Sequence, residues 1–145
     1  MSVLTATPTA RQTDLGLLLL RLAVGAVFIA HGAQKVFVYG FAGVSGSFGQ
    51  MGIPMPGITG PLVAIVELAG GVALVIGLLT RLAAIALAID MLGAILFVHL
   101  AGGFFLPAGV EFALVLLVAC LALAIMGPGA MSIDHGISGR RGTVR

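Results

Sequence analysis

The chain has 145 residues, 60% of them hydrophobic and only 8% charged, with a net charge of +2 and a mean hydropathy of +1.23. A water-soluble domain of this size covers its exterior with charged residues, so the composition excludes one and points to an integral membrane protein. The basic residues form no stripe interleaved with aromatics, which argues against a nucleic-acid partner, and the single cysteine, Cys120, can make no internal disulfide or dithiol pair.

Residues 1–14 (MSVLTATPTARQTD) are polar and read as a flexible tail. They are not the start of a secretory signal peptide, because the next apolar stretch is too long and carries an Arg and a His. Spanning the hydrocarbon takes about 20 apolar residues in a helix. The first such segment runs over 15–37. Residues 38–59 are Gly-rich with Phe41, Phe48 and Met51 interspersed, and predict a short interfacial helix or a lid. The second span covers 61–79, with Pro61 in the first turn, where its missing N–H costs nothing. The short link "LTRL" leads to the third span, 82–100. Residues 101–109 (AGGFFLPAG) place two Phe at an interface, and the fourth span, 110–126, stops at "GPG". A polar tail, 132–145, comes last. Long continuous apolar runs disfavour a barrel, so the expected architecture is an all-α, integral membrane four-helix bundle.

Orientation follows from Lys and Arg. With both termini cytoplasmic, Arg11, Arg81, Arg140, Arg141 and Arg145 lie inside and only Lys35 lies near the outer face. The expected location is therefore a bacterial plasma membrane, crossed four times, with both tails in the cytoplasm.

Ionisable groups within spans are costly and face the bundle interior. Here they are Arg21, His31, Lys35, Glu67, Asp90, His99 and Glu111. His31 lies roughly 15 Å further out than Arg21, and Glu67 about one and a half turns into the second span. At about 100° per residue, His31 and Lys35 sit roughly 40° apart, on one face that Arg21 shares. Asp90 and His99, nine residues apart, fall on opposite faces unless the helix distorts. Depth matches Asp90 to Arg21. Two groupings result: a structural ion pair Arg21/Asp90 on the inner half, and an outer ligand-binding or proton-handling cluster of His31, Lys35, Glu67, His99 and Glu111. Cys120, nine residues after Glu111, is expected on the opposite, lipid-facing side of the fourth helix. Gly25 and Gly32, and Gly70/Gly71 and Gly77, recur at seven-residue spacing and predict close helix packing.

Read together, "RLAVGAVFIAHGAQKVF", "GSFGQMGIPMP", "VELAGGVALVIGLLTRLAA", "DMLGAILFVHLAGGFF", "VEFALVLL" and "GPGAMSIDH" resemble the DoxX family of small bacterial four-helix membrane proteins. The resemblance covers nearly everything from Leu15 to His135. It carries His31, Lys35, Glu67, Arg81, His99 and Glu111 over as matching motif positions. It also implies a redox association, since family members include or resemble a subunit of thiosulfate:quinone oxidoreductase and a component of a mycobacterial membrane oxidoreductase complex.

Three function classes are open. In a redox-linked subunit the outer cluster binds or protonates a quinone head group, because His and carboxylate groups hydrogen-bond quinone oxygens and exchange protons near neutral pH. The chain lacks a Cys cluster and a Gly-rich dinucleotide turn, so no haem, flavin or iron–sulfur motif is present. Electrons then come from a protein partner in a redox complex. The second class is transport of protons, a metal ion or a small solute, for which the dispersed His and carboxylates are a weak signal and no metal ligand set is assigned. The third is a non-catalytic assembly or anchor protein. No catalytic residue is assigned, and a homo-oligomer stays open.

Overall fold

The computed structural model describes residues 7–141, which form helices and their connections, with no strand. The first helix, α1, runs over Ala10–Ala33 and widens into a π-helical turn at Gln34–Tyr39. It starts five residues before the expected first span, because Thr9 and Gln12 form a capping box: the Thr9 hydroxyl accepts from the Gln12 N–H and the Gln12 side chain accepts from the Thr9 N–H. Residues 1–6 of the expected tail lie outside the described residues.

Gly40, at φ 68°, breaks the path after Tyr39. The chain then forms α2, Gly40–Gln50, which packs against α3, Pro56–Ile76. The second span thus begins earlier than expected, with Pro56 as well as Pro61 in its N-terminal part. A tight turn through Gly77 and Leu79, both left-handed, leads to α4, Thr80–Ala94. That helix continues through a second π-helical turn at Ile95–His99 and a short 3₁₀ turn to Gly102. The next helix, α5, covers Glu111–Met126, and α6, Ile133–Arg141, forms inside the segment read as a polar tail.

Three helical stretches are long and apolar enough to cross a membrane: Ala10–Gln50, Pro56–Ile76 and Thr80–Gly102. The fourth, α5, has 16 residues, roughly 24 Å at 1.5 Å per residue, short of the hydrocarbon thickness of about 30 Å. The helices turn Leu, Ile, Val and Phe outward, among them Leu19, Leu62, Ile85, Val115 and Ile125, as lipid-facing surfaces do. Inside lies a core of Leu17, Val24, Phe28, Leu74, Leu87, Leu116, Cys120 and Leu123. Cys120 is fully buried; it belongs to the core face of α5, not to the lipid side. Counting from Glu111 failed because Glu111 itself points away from the bundle centre.

Packing is closest between α1 and α3, where Gly25, Gly32 and Gly71 meet. A Cβ on Gly71 would lie 2.7 Å from the Ile29 nitrogen and 2.8 Å from the Gly25 oxygen. Backbone therefore rests on backbone, as small residues permit in membrane bundles.

At the end of the bundle that carries Arg81, the segment after α5 folds back as a plug. Asp134 accepts from the Leu79 N–H at 2.8 Å and the Thr80 N–H at 2.9 Å, capping α4 from a distant part of the chain. Its own N–H donates to the Gly77 carbonyl. Asp14 accepts from the Ala130 N–H at 2.8 Å, and Arg81 donates to the Ala124 carbonyl at 2.9 Å.

The expected Arg21/Asp90 pair does not form. Arg21 is fully buried and donates to the carbonyls of Leu74 and Met131; the carboxylate in its electrostatic reach is Asp134. Depth matching failed because it ignored the returning segment, which brings both the Met131 carbonyl and Asp134 to the arginine.

Candidate functional site

At the opposite end the helices spread around a cavity of about 440 Å³. Its walls come from α1, α3, α4 and α5 and are mostly apolar, with Phe28, Phe97 and Phe112 among them. Phe48, Met51 and Ile53, from the end of α2 and the loop after it, line it too. The polar groups gather within this lining: His31, Lys35, Thr59, Glu67, Asp90 and His99.

Lys35 and Glu67 form the centre. The Lys35 ammonium lies 2.5 Å from Glu67 Oε2, the one ion pair among the described residues. Glu67 is 4% exposed, so its charge is tolerable only with a partner this close. Lys35 reaches it from the first wide turn, one residue into Gln34–Tyr39.

Asp90 joins this group, coupled electrostatically to both Glu67 and Lys35, and its Oδ2 is buried without a hydrogen-bond partner. Two carboxyls thus share one ammonium. The unmatched carboxyl needs a proton or a donor from elsewhere.

His99 Nδ1 lies 3.1 Å from the Ala108 carbonyl. A carbonyl only accepts, so Nδ1 carries the proton and, in the neutral ring, Nε2 is left as an acceptor. His31 is more exposed and stands 6.4 Å, centroid to centroid, from the Phe112 ring.

Of the five residues expected in the outer cluster, the structure brings together His31, Lys35, Glu67 and His99. Glu111 stands apart. Its Oε1 accepts from the Leu106 N–H at 2.7 Å, and its own N–H donates to the Phe104 carbonyl. It closes the loop before α5 and does not line the cavity. A carboxylate at a helix start is well placed for such a local role. Asp90, assigned by sequence to the other end, takes its place. The signal was present: Asp90 and His99 share a face only if the helix distorts. The wide turn over Ile95–His99 is that distortion, and such turns are frequent at functional sites.

Fold and site together define a small multi-pass membrane bundle with ionisable groups in the lining of a mostly apolar chamber. The chain belongs to the DoxX family, whose model matches residues 16–100. It is 34% identical over 127 residues to a Bacillus subtilis protein named "Putative oxidoreductase CatD", covering 86% of this chain and 88% of that one. It is 37% identical to the Mycobacterium tuberculosis "Uncharacterized membrane protein Rv3486", covering 83% and 80%. The Escherichia coli "Inner membrane protein YqjF" is 38% identical, covering 84% and 92%. No solved structure matches the chain. Its apolar helices and its inner-membrane relatives place it in the bacterial inner membrane.

Proposed function

We propose that this chain is a quinone-interacting subunit of a membrane oxidoreductase complex, oriented with the Arg11 and Arg81 end toward the cytoplasm. The observation that carries the reading is the set of ionisable groups Lys35, Glu67, Asp90, His31 and His99 in the lining of a mostly apolar cavity. A volume of about 440 Å³ falls in the range of small-ligand sites. The aromatic side chains suit a flat ring, and the ammonium and imidazoles suit its oxygens. A bound quinone would supply two-electron redox chemistry, with a protein partner as the electron route. The residues of this chain do the rest. Lys35 donates a hydrogen bond while Glu67 holds it in place. Asp90 keeps a proton within the cavity, and His31, at the exposed edge, exchanges protons with the outer surface. The name of the Bacillus subtilis relative agrees with a redox role.

The test is quinone retention. The wild type, Glu67→Gln and His31→Ala are purified in mild detergent and their quinone is extracted and quantified. The expected result is a loss of about tenfold or more in both variants, with unfolding temperatures near wild type. Folded variants that keep full quinone would show the cavity to be structural and leave the assembly role in its place.

A further inference from the structure

The cavity wall on α4 has one position without a side chain. Gly93 lines the cavity, and a Cβ built on it meets no atom within 4 Å. One turn to either side stand Ile89 and Phe97. Both also line the cavity, and both are open to the outside, 66% and 51% exposed. Ile89 and Gly93, four apart in α4, share one stripe, and Phe97 joins them from the wide turn as a third cavity-lining residue, so the three form an edge belonging to the chamber and to the lipid-facing surface together. The middle of that edge has no side chain.

Asp90 lies three residues before Gly93, on nearly the same face and one turn along the axis. Its Oδ2 is buried without a hydrogen-bond partner, and both residues line the cavity.

We propose that the chamber opens sideways into the bilayer at Gly93, and that its ligand is a two-part amphiphile whose polar head sits at Asp90 and Glu67 while its long apolar tail leaves between Ile89 and Phe97. This rests on the head-group reading above and adds the ligand's second half and its route. A chamber of this volume holds a ring and its substituents but not a long hydrocarbon chain as well, so the chain must lie outside. Outside this edge is lipid, where an apolar tail loses nothing by staying. A ligand arriving from the membrane also needs no passage through the polar end of the bundle.

The experiment uses the full chain in lipid nanodiscs with two probes: a decyl-tailed benzoquinone and the same head group without its tail. Three proteins are compared: wild type, Gly93→Ala and Gly93→Leu. Both side chains enter open space, so folding is expected to survive, and thermal unfolding checks it. The expected result is that Gly93→Leu binds the tailed probe about tenfold more weakly while the tail-free probe changes by less than about twofold; Gly93→Ala stays near wild type with both. Wild-type affinity of Gly93→Leu for the tailed probe overturns the side opening alone and leaves the head-group reading standing. Equal loss of both probes overturns it too, since the leucine then fills the head site itself. If the wild type binds neither probe, the head-group reading fails and this inference falls with it.

Discussion

Asp134 shows how much one side chain does at the end opposite the cavity. Burial raises the energy of its charge, but the N–H groups of Thr80 and Leu79 and the charge of Arg21 outweigh that and hold its carboxyl below the usual aspartate range. A folded-state pKa depressed in this way contributes stability that is present above the unfolded value of about 3.9 and is lost as pH falls through the folded value. Asp134→Ala should therefore lower the unfolding midpoint in detergent at neutral pH, by about 1–2 kcal/mol on the scale of a lost cap. The gap between variant and wild type should narrow as pH falls through the folded value; a gap that is independent of pH would assign the effect to packing instead. Sequence reading found the right kinds of residue here but the wrong partners. Arg21 was legible as a buried cation in need of oxygen, yet Met131 and Asp134 are more than a hundred residues away, and no spacing rule reaches that far.

At the scale of elements, the helices were legible and their ends were not. Apolar length marks three stretches long enough to cross a membrane, and α5, at 16 residues, falls short of that length. The capping box at Thr9 and Gln12 was also in the sequence, and it moves the start of α1 to Ala10. The two wide turns were not legible, because a π-helical turn leaves no periodic signal in a uniformly apolar run. The turn over Ile95–His99 changes the angle between Asp90 and His99, so regular helical spacing puts them on opposite faces while the structure has both lining one cavity. The glycine spacing did mark the α1–α3 contact. Gly71→Ala puts a Cβ against the backbone of Gly25 and Ile29 and should destabilise the bundle by about 1–3 kcal/mol, as overpacking does. Gly16→Ala, which meets nothing within 4 Å, should stay within about 0.5 kcal/mol of wild type. Thermal unfolding of both in the same detergent makes the comparison, and similar midpoints would mean that α1 and α3 separate without cost.

The whole molecule has two unlike ends. One is tied shut: Asp14, Arg81 and Asp134 bind backbone groups of α5, of the returning segment and of the α3–α4 turn. The other is open around the cavity. The tied end carries Arg11 and Arg81, and the proposed orientation turns it toward the cytoplasm. A reporter enzyme fused after Arg145 should then be active in the cytoplasm and silent in the periplasm; the reverse pattern would invert the bundle and put the cavity on the inner side.

The two wide turns carry a consequence for how such a chain can vary. A π-helical turn holds one residue more than the α-helical turn it replaces, so each behaves as an insertion that the bundle has kept. Were Ile95–His99 wound at regular α-helical pitch with no residue removed, the remainder of the helix would swing by about 100°. His99 would leave the cavity although every ionisable group was still in the chain. Lipid-facing positions such as Val115 or Ile125 should accept many apolar replacements, while one more residue inserted in the regular part of α1 or α4 would turn the site residues beyond it off the cavity. The site depends on the count of residues along α1 and α4 as much as on which residues they are.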